Sequence, residues 1–226
     1  MALAASPCGR GISLAGWGRY ENDWVSEVAE LRYKADITAG SLKVAESRVI
    51  ADLLLRDSDR AMWKEAIGAE NRLQTRSPVT ATRLVSLIRP RLETMTPDLW
   101  ALVRDGNQQE ATHACLAAAV KRSRLLADFF ELVLREQYQV FAERLTRQDW
   151  DVFVSDCQAR DLQMKPWSDL TVARVRSSVF QILAQAGYVE STKNLRLQTV
   201  FVADSVVKYL KNHEEDGVLR CIQISA

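Results

Sequence analysis

The sequence predicts a mainly α-helical protein: a helical bundle followed by a C-terminal winged helix-turn-helix-like unit with a short β-hairpin. Apolar residues recur at three- and four-residue steps from Ser41 onward, as on one face of a helix. Proline and glycine are absent between Gln108 and Pro166, which is typical of packed helices. The C-terminal third has the order helix, turn, helix, two extended pieces.

Residues 1–35 are predicted to form a loose N-terminal arm. This segment is rich in glycine and carries Trp17, Tyr20 and Trp24, which suggests an arm whose aromatic side chains dock elsewhere. No strand precedes its glycines and no Gly-Lys-Ser/Thr follows them, so a phosphate-binding loop is rejected. We expect the arm to be dispensable for folding.

A helical domain is predicted over residues 36–146. Its first helix begins near Ser41 and places Leu42, Val49 and Ile50 on one apolar face. Ser58 is predicted to cap a second helix, because a hydroxyl there can accept from the first free backbone N–H groups.

The later helices of this domain begin at proline-containing signals. Pro78 opens a third helix, which Pro90 should kink or end. Thr96 followed by Pro97 is a strong start signal, a capping hydroxyl before a proline at the first helical position, and Gly106 ends that helix. Two or three more helices are expected from Gln108 to Leu162.

Residues 147–226 are predicted to form the winged-helix-like domain. A basic or polar recognition helix followed by a hairpin would match that arrangement. The predicted elements are a helix over 149–162, a turn over 164–167, a helix over 168–186, extended pieces near Val189 and over 195–200, a turn over 191–194, and a last helix over 205–212.

One face of the predicted 168–186 helix carries arginine, serine and glutamine but no acid. Such side chains reach phosphates and base edges in a major groove, and the absence of carboxylates avoids repulsion from the DNA backbone. A basic wing would add phosphate contacts. An ordinary solvated face remains an equally good interpretation of the helix alone. The candidate DNA-binding residues here are Arg174, Ser177, Ser178, Gln181, Lys193 and Arg196.

A second basic stretch lies in the predicted third helix and before it. It is the densest positive run in a chain whose formal net charge is only +1. We consider it a candidate for nucleic-acid contact, with surface arginines paired to distant acids as the slightly favoured alternative. The run comprises Arg72 and the candidate DNA-binding residues Arg76, Arg83, Arg89 and Arg91.

Nothing in the sequence indicates catalysis, a metal or a cofactor. The four cysteines are far apart and are expected to be free thiols. His113 and His213 lack metal-ligand spacing and are interpreted as ordinary surface or tail histidines. Glu46 falls on an apolar face, where we expect a structural pair with an arginine. No apolar run approaches the length of a membrane span, and the chain is expected in the cytoplasm.

Several motifs are similar to those of the BrxA family of bacteriophage exclusion (BREX) defence systems. They include residues 33–42 and 46–54 and further matches in the middle and C-terminal sections, and the similarity fails before Tyr33. The middle and C-terminal matches are Thr82-Arg83, Arg91-Leu92, Asp105-Gly106-Asn107, Asp128-Phe129, Trp167, Thr171, Ile182-Leu183 and Gly187-Tyr188.

The resemblance implies a small, non-enzymatic, helical DNA-binding component of a phage-defence operon. It also implies partners: a methyltransferase, an ATPase and a phosphatase-like protein. Our leading hypothesis is therefore a sequence-tolerant binder of double-stranded DNA. The alternatives are a helical protein–protein adaptor, then an RNA-binding protein, and last an enzyme.

Overall fold

The computed structural model of the chain describes residues 33–37 and 40–224, and the predicted mainly helical class is confirmed. The predicted arm before Tyr33, with its three aromatic residues and Cys8, lies outside the described residues. The helices are α1 Val44–Leu55, α2 Arg60–Lys64, α3 Pro78–Leu92, α4 Pro97–Asp105, α5 Gln108–Arg122, α6 Arg124–Asp128, α7 Arg135–Gln139, α8 Arg147–Arg160, α9 Asp169–Gln185, α10 Asp204–Asn212 and α11 Asp216–Ile222.

Helix α5 is the central element, and every residue from Ala111 to Val120 on it is buried. Its many alanines let α1, α3, α4 and α11 pack closely around it. A capping box secures its start, because the Asn107 side chain accepts from Glu110 N and Glu110 accepts from Asn107 N. Arg48 of α1 donates to Arg104 O at 2.6 Å and so satisfies the end of α4.

The core continues without a break into the C-terminal part. A π-helical segment, Phe129–Leu134, joins α6 to α7 and places two aromatic rings inward. Phe129 lies 5.4 Å from Trp150 of α8 between ring centroids, and Phe130 lies 5.1 Å from Tyr188. The core also includes Tyr33, whose hydroxyl donates to Asp128 at 2.7 Å. The domain boundaries given above stay predictions.

Helix ends differ from the predictions where a side chain has a better partner. Asp59, not Ser58, caps α2, because its carboxylate accepts from Met62 N at 2.8 Å. The Thr96 hydroxyl does not cap α4 but lies 3.0 Å from the hydroxyl of Tyr209 on α10. Pro90 lies inside α3, which ends two residues later. Helix α11 was not predicted.

The predicted β-hairpin and winged helix-turn-helix are not confirmed, since the described residues contain no strand. Two isolated antiparallel bridges take its place, Arg144 with Arg196 and Val189 with Leu197. Leu195 has a left-handed φ of 51°, which turns the chain away from an extended path just before the paired positions. The ladder therefore cannot extend further.

His113 is buried, contrary to the surface position predicted for it. On α5 it is only 3% exposed, and its Nδ1 accepts from Ala203 N at 3.0 Å. The ring also hydrogen-bonds to the backbone of Ala186, at the end of α9. Burial lowers the pKa of His113 below 6.5, although the Ala186 bond acts in the opposite direction. A neutral imidazole thus ties α5 to both α9 and α10.

We expect the free energy of unfolding to fall as the pH drops below about 6.5, the ordinary histidine pKa. The folded pKa is lower than the unfolded one, so the unfolded chain binds the proton more readily in this range. Urea unfolding between about pH 5 and pH 8 measures this dependence. The variant His113→Asn keeps an acceptor but cannot titrate, so its curve should be flatter; an equally steep curve would contradict the assignment.

Candidate nucleic-acid interface

The exposed edge of α9 carries three of the predicted DNA-binding residues. Arg174, Ser177 and Gln181 are all exposed and lie three and four residues apart, which places them on one side of the helix. The Ser177 hydroxyl donates to Ala173 O at 2.9 Å. Ser168 caps the helix start by accepting from Thr171 N at 3.3 Å.

Ser178 does not belong to this edge. It is 7% exposed, because α9 packs against the core over a wider arc than its aliphatic stripe predicts. Phe180 is buried at 5% for the same reason. Gln185, on the same predicted polar face, accepts from Leu42 N at 2.9 Å and so fastens the helix to the segment before α1. Ser178 is therefore withdrawn from the candidate interface.

A groove of about 420 Å³ joins α9 to two other parts of the chain. It brings the start of α8 and the loop at residues 190–196 against the exposed edge of α9. The lining residues are Arg147, Arg176, Ser177, Phe180, Gln181 and Thr192.

The loop at residues 190–196 is held by its own side chains. Asn194 donates to Glu190 Oε2 at 2.8 Å and accepts from Arg196 N at 3.2 Å. Ser191 Oγ lies 3.1 Å from Asn194 Oδ1. Lys193 and Arg196 are exposed on this loop, and neither forms an ion pair with any described residue. Both candidates predicted from the sequence are therefore available to a ligand.

Three arginines beside this groove were missed by the sequence analysis. Arg144 and Arg147 are exposed and precede or begin α8, and Arg144 pairs with Arg196 across the backbone bridge. Arg176 lines both this groove and a second groove between α8 and α9, and it forms an ion pair of 3.1 Å with Asp151 of α8. No local pattern indicates Arg144 or Arg147, because their proximity to α9 depends on tertiary packing. We call Arg144, Arg147, Arg174, Arg176, Lys193 and Arg196 the basic surface.

The arginines of the second predicted basic stretch lie in different environments, because some of them form ion pairs within the chain. Arg72 donates to Asp52 at 2.9 Å. Arg89 donates to Glu93 at 2.6 Å and lies 4.6 Å above the ring centre of Trp63. Arg72 is therefore paired with an acid distant in sequence, as the alternative interpretation expected, whereas the partner of Arg89 is an acid of its own helix.

Arg91 is buried at 7% exposure and is withdrawn from the candidate interface. Its Nη1 donates to Ser41 O at 3.1 Å, across 50 residues of sequence. Burial lowers the pKa of Arg91, while the nearby carboxylate of Asp36 raises it. Partial desolvation also raises the pKa of Asp36, although that residue is exposed overall and lies near Arg122 as well. The opposite charges of Arg91 and Asp36 attract one another at the edge of the core.

Arg76 and Arg83 are the exposed remainder of the stretch. They form no ion pair with the described part of the chain. Arg83 lies on α3, which packs on α1 and α5. They constitute a separate candidate.

Glu46 and the three described cysteines lie in environments that point to a role in the fold. Glu46 is half-buried and pairs with Lys43 at 3.5 Å, so its partner is a lysine and not the expected arginine. Burial raises the pKa of Cys115 to about 11 and the pKa of Cys157 and Cys221 to about 12, which keeps these thiols protonated at neutral pH. Within residues 33–37 and 40–224, no three His, Cys, Asp or Glu side chains are arranged to hold a metal. No described helix combines the length and hydropathy of a membrane span.

Comparison with known proteins identifies close relatives. The profile of the family described as BrxA matches residues 31–214. The chain is 48% identical over 198 residues to "BREX protein BrxA" of Paramagnetospirillum magneticum, covering 88% of this chain and all of the relative. It is 34% identical to the protein of the same name in Escherichia coli, covering 83% and 88% of the two chains. A crystal structure of an uncharacterized protein from Magnetospirillum magneticum, 46% identical, superposes with a TM-score of 0.80 over 86% of this chain and all of that one.

Proposed function

The chain belongs to the BrxA family and is a component of a BREX phage-defence system, and from that premise we propose that it binds double-stranded DNA. In this proposal α8 and α9 act as a helix-turn-helix, with α9 in the major groove and the loop at residues 190–196 beside it as a wing. The protein has no catalytic part in the proposal. It holds DNA for the defence system.

The observation that carries the proposal is the convergence of the basic surface on one groove. The chain is nearly neutral overall, so affinity for a polyanion requires a local excess of positive charge. Several carboxylates beside its six cations are engaged with partners: Asp151 with Arg176, Glu190 with Asn194, Asp149 with Thr146 N, and Glu143 at 3.8 Å from Arg144. The remaining cations face solvent.

The arrangement of side chains favours backbone contact over strict sequence readout. Arginines and a lysine supply phosphate contacts, which do not depend on base identity. Ser177 and Gln181 are the two polar residues on the same edge that could reach base edges. We therefore expect a modest sequence preference at most.

Fluorescence anisotropy with duplex DNA, single-stranded DNA and RNA of matched length tests this function. Duplex DNA is expected to bind most tightly, and log affinity should fall linearly with log salt, by about 0.9 for each phosphate contacted. A wild-type protein that binds no duplex at near-physiological salt would contradict the proposal. Tighter binding to RNA would favour the RNA-binding alternative.

Exposed apolar residues favour a second function alongside the first. Phe141 is 82% exposed, Leu162 94% and Phe201 80%, and exposed aromatic side chains are enriched where proteins contact one another. In this alternative the protein is an adaptor that contacts other BREX proteins, a methyltransferase, an ATPase or a phosphatase-like protein. Absence of DNA binding together with binding to one of these proteins would support the adaptor role alone.

A further inference from the structure

Arg144 and Arg196 lie directly opposite one another in an antiparallel bridge. Because the flanking residues, and not the pair itself, exchange the backbone hydrogen bonds, the pair is of the narrow type, with Cα atoms about 4.5 Å apart. Both side chains leave the same face of the bridge. The flanking bonds, each 3.0 Å, run from Leu197 N to Glu143 O and from Leu145 N to Leu195 O.

This arrangement places two like charges side by side at the surface. Leu145 and Leu195 are buried, so their neighbours in the bridge point outward, and the Arg144 side chain is 60% exposed. Like charges directly opposite in an antiparallel pair destabilise it. Among the residues that the structure describes, the ion pair that offsets this repulsion is a long contact of 3.8 Å from Arg144 to Glu143.

The acid on the other side of Arg196 is directed elsewhere. Glu190 N donates to Arg196 O at 2.9 Å, so the two residues are also paired. The Glu190 carboxylate, however, accepts from Asn194 at 2.8 Å and makes no ion pair with Arg196. Within the described residues, no carboxylate therefore forms an ion pair with Arg196 beside Arg144.

We propose that Arg144 and Arg196 form a clamp for one backbone phosphate of duplex DNA. Guanidinium groups donate paired hydrogen bonds to phosphate oxygens, and two of them leaving one face at this spacing can share a single phosphate. The bound anion replaces their mutual repulsion with attraction. This inference rests on the proposed DNA-binding function and adds to it a defined phosphate position, at the join between the wing and the start of α8.

Thermal unfolding of the free protein tests whether Arg144 and Arg196 repel one another. The variants Arg144→Gln and Arg196→Gln remove one charge each and keep a long polar side chain. At low salt each should raise the Tm by about 1–3 °C, since the like-charge pair is relieved. The gain should vanish near about 0.5 M salt, where exposed charges are screened. A Tm that is unchanged or lower at low salt would overturn the proposal.

Salt-dependent binding of a duplex tests whether one phosphate is shared. Each single variant should weaken binding but reduce the slope of log affinity against log salt by clearly less than about 0.9, because the remaining arginine still neutralises the phosphate, and the double variant should reduce the slope by about 0.9 in all. Two independent contacts would give about 1.8 in the double variant, which would overturn the clamp. Arg160→Gln removes an exposed arginine from α8 that pairs with Asp156 at 3.9 Å, and serves as the control with no expected change in slope.

Failure of the clamp can be separated from failure of the proposed function. If the wild type binds duplex DNA and the double variant keeps the wild-type slope, the function stands and the clamp is wrong. If the wild type binds no duplex, the proposed function is wrong. The Tm measured with added inorganic phosphate at constant ionic strength then tests whether the two arginines hold a phosphate. A rise in the wild-type Tm with phosphate that disappears in the double variant would support the clamp, and no such difference would overturn it.

Discussion

Replacing Arg174, Lys193 and Arg196 together with glutamate is expected to abolish measurable binding to duplex DNA. Each substitution turns an attraction for phosphate into a repulsion, and the combined loss should be on the order of 100-fold or more at moderate salt. All three side chains are exposed and none packs in the core, so circular dichroism should show an unchanged helical signal. Fluorescence anisotropy measures the affinity.

A second triple variant with the same change in net charge distinguishes position from total charge. Arg76, Arg83 and Lys208 are exposed and lie outside the basic surface. Their replacement by glutamate should weaken binding only slightly, through the long-range field. If this variant loses DNA and the first one binds normally, the interface lies on the α3 side, and our assignment of α9 is wrong.

Substitution of Arg91 by alanine is expected to destabilise the protein by about 2–4 kcal/mol. The change removes a charged hydrogen bond to Ser41 O where both Arg91 and Ser41 are buried, and it removes one of the two arginines, with Arg122, whose charges lower the pKa of Asp36. Urea unfolding followed by circular dichroism measures the loss. The folded fraction should bind DNA as the wild type does.

Arg83 provides the matched comparison for Arg91, because it lies on the same helix but is exposed. Arg83→Ala should change the free energy of unfolding by no more than about 0.5 kcal/mol. Equal stability of both variants, with loss of DNA binding in Arg91→Ala alone, would restore the nucleic-acid role predicted for Arg91 from the sequence.

Local patterns predicted most helices of this chain correctly. Helix α9 and its cap at Ser168 follow from period and capping chemistry, both of which depend on residues within one or two turns. Helix α11 escaped notice because it is only seven residues long and follows an acidic stretch. The predicted hairpin is not confirmed, because alternation indicates an extended chain without indicating how long its partner stays in register.

The candidate site was predictable where its residues share α9 or lie in the loop that follows α9 in the sequence. Arg174, Ser177 and Gln181 were found because a periodic face is visible in sequence, whereas the burial of Ser178 one residue away depends on how widely α9 contacts the core. Arg144 and Arg147 were assigned no role because they lie far in sequence from α9. Packing of α8 against α9 brings them beside it.

The sequence by itself therefore determined the helical class, the family and the exposed edge of α9, because each depends on short-range order of residues. Tertiary structure alone decided which charges are available. It buries Arg91 through a contact with Ser41, 50 residues away, and it sets Arg144 against Arg196. The reason is physical: the charge of an arginine is a property of the residue, but its burial and its neighbours are set by distant segments that share the same core.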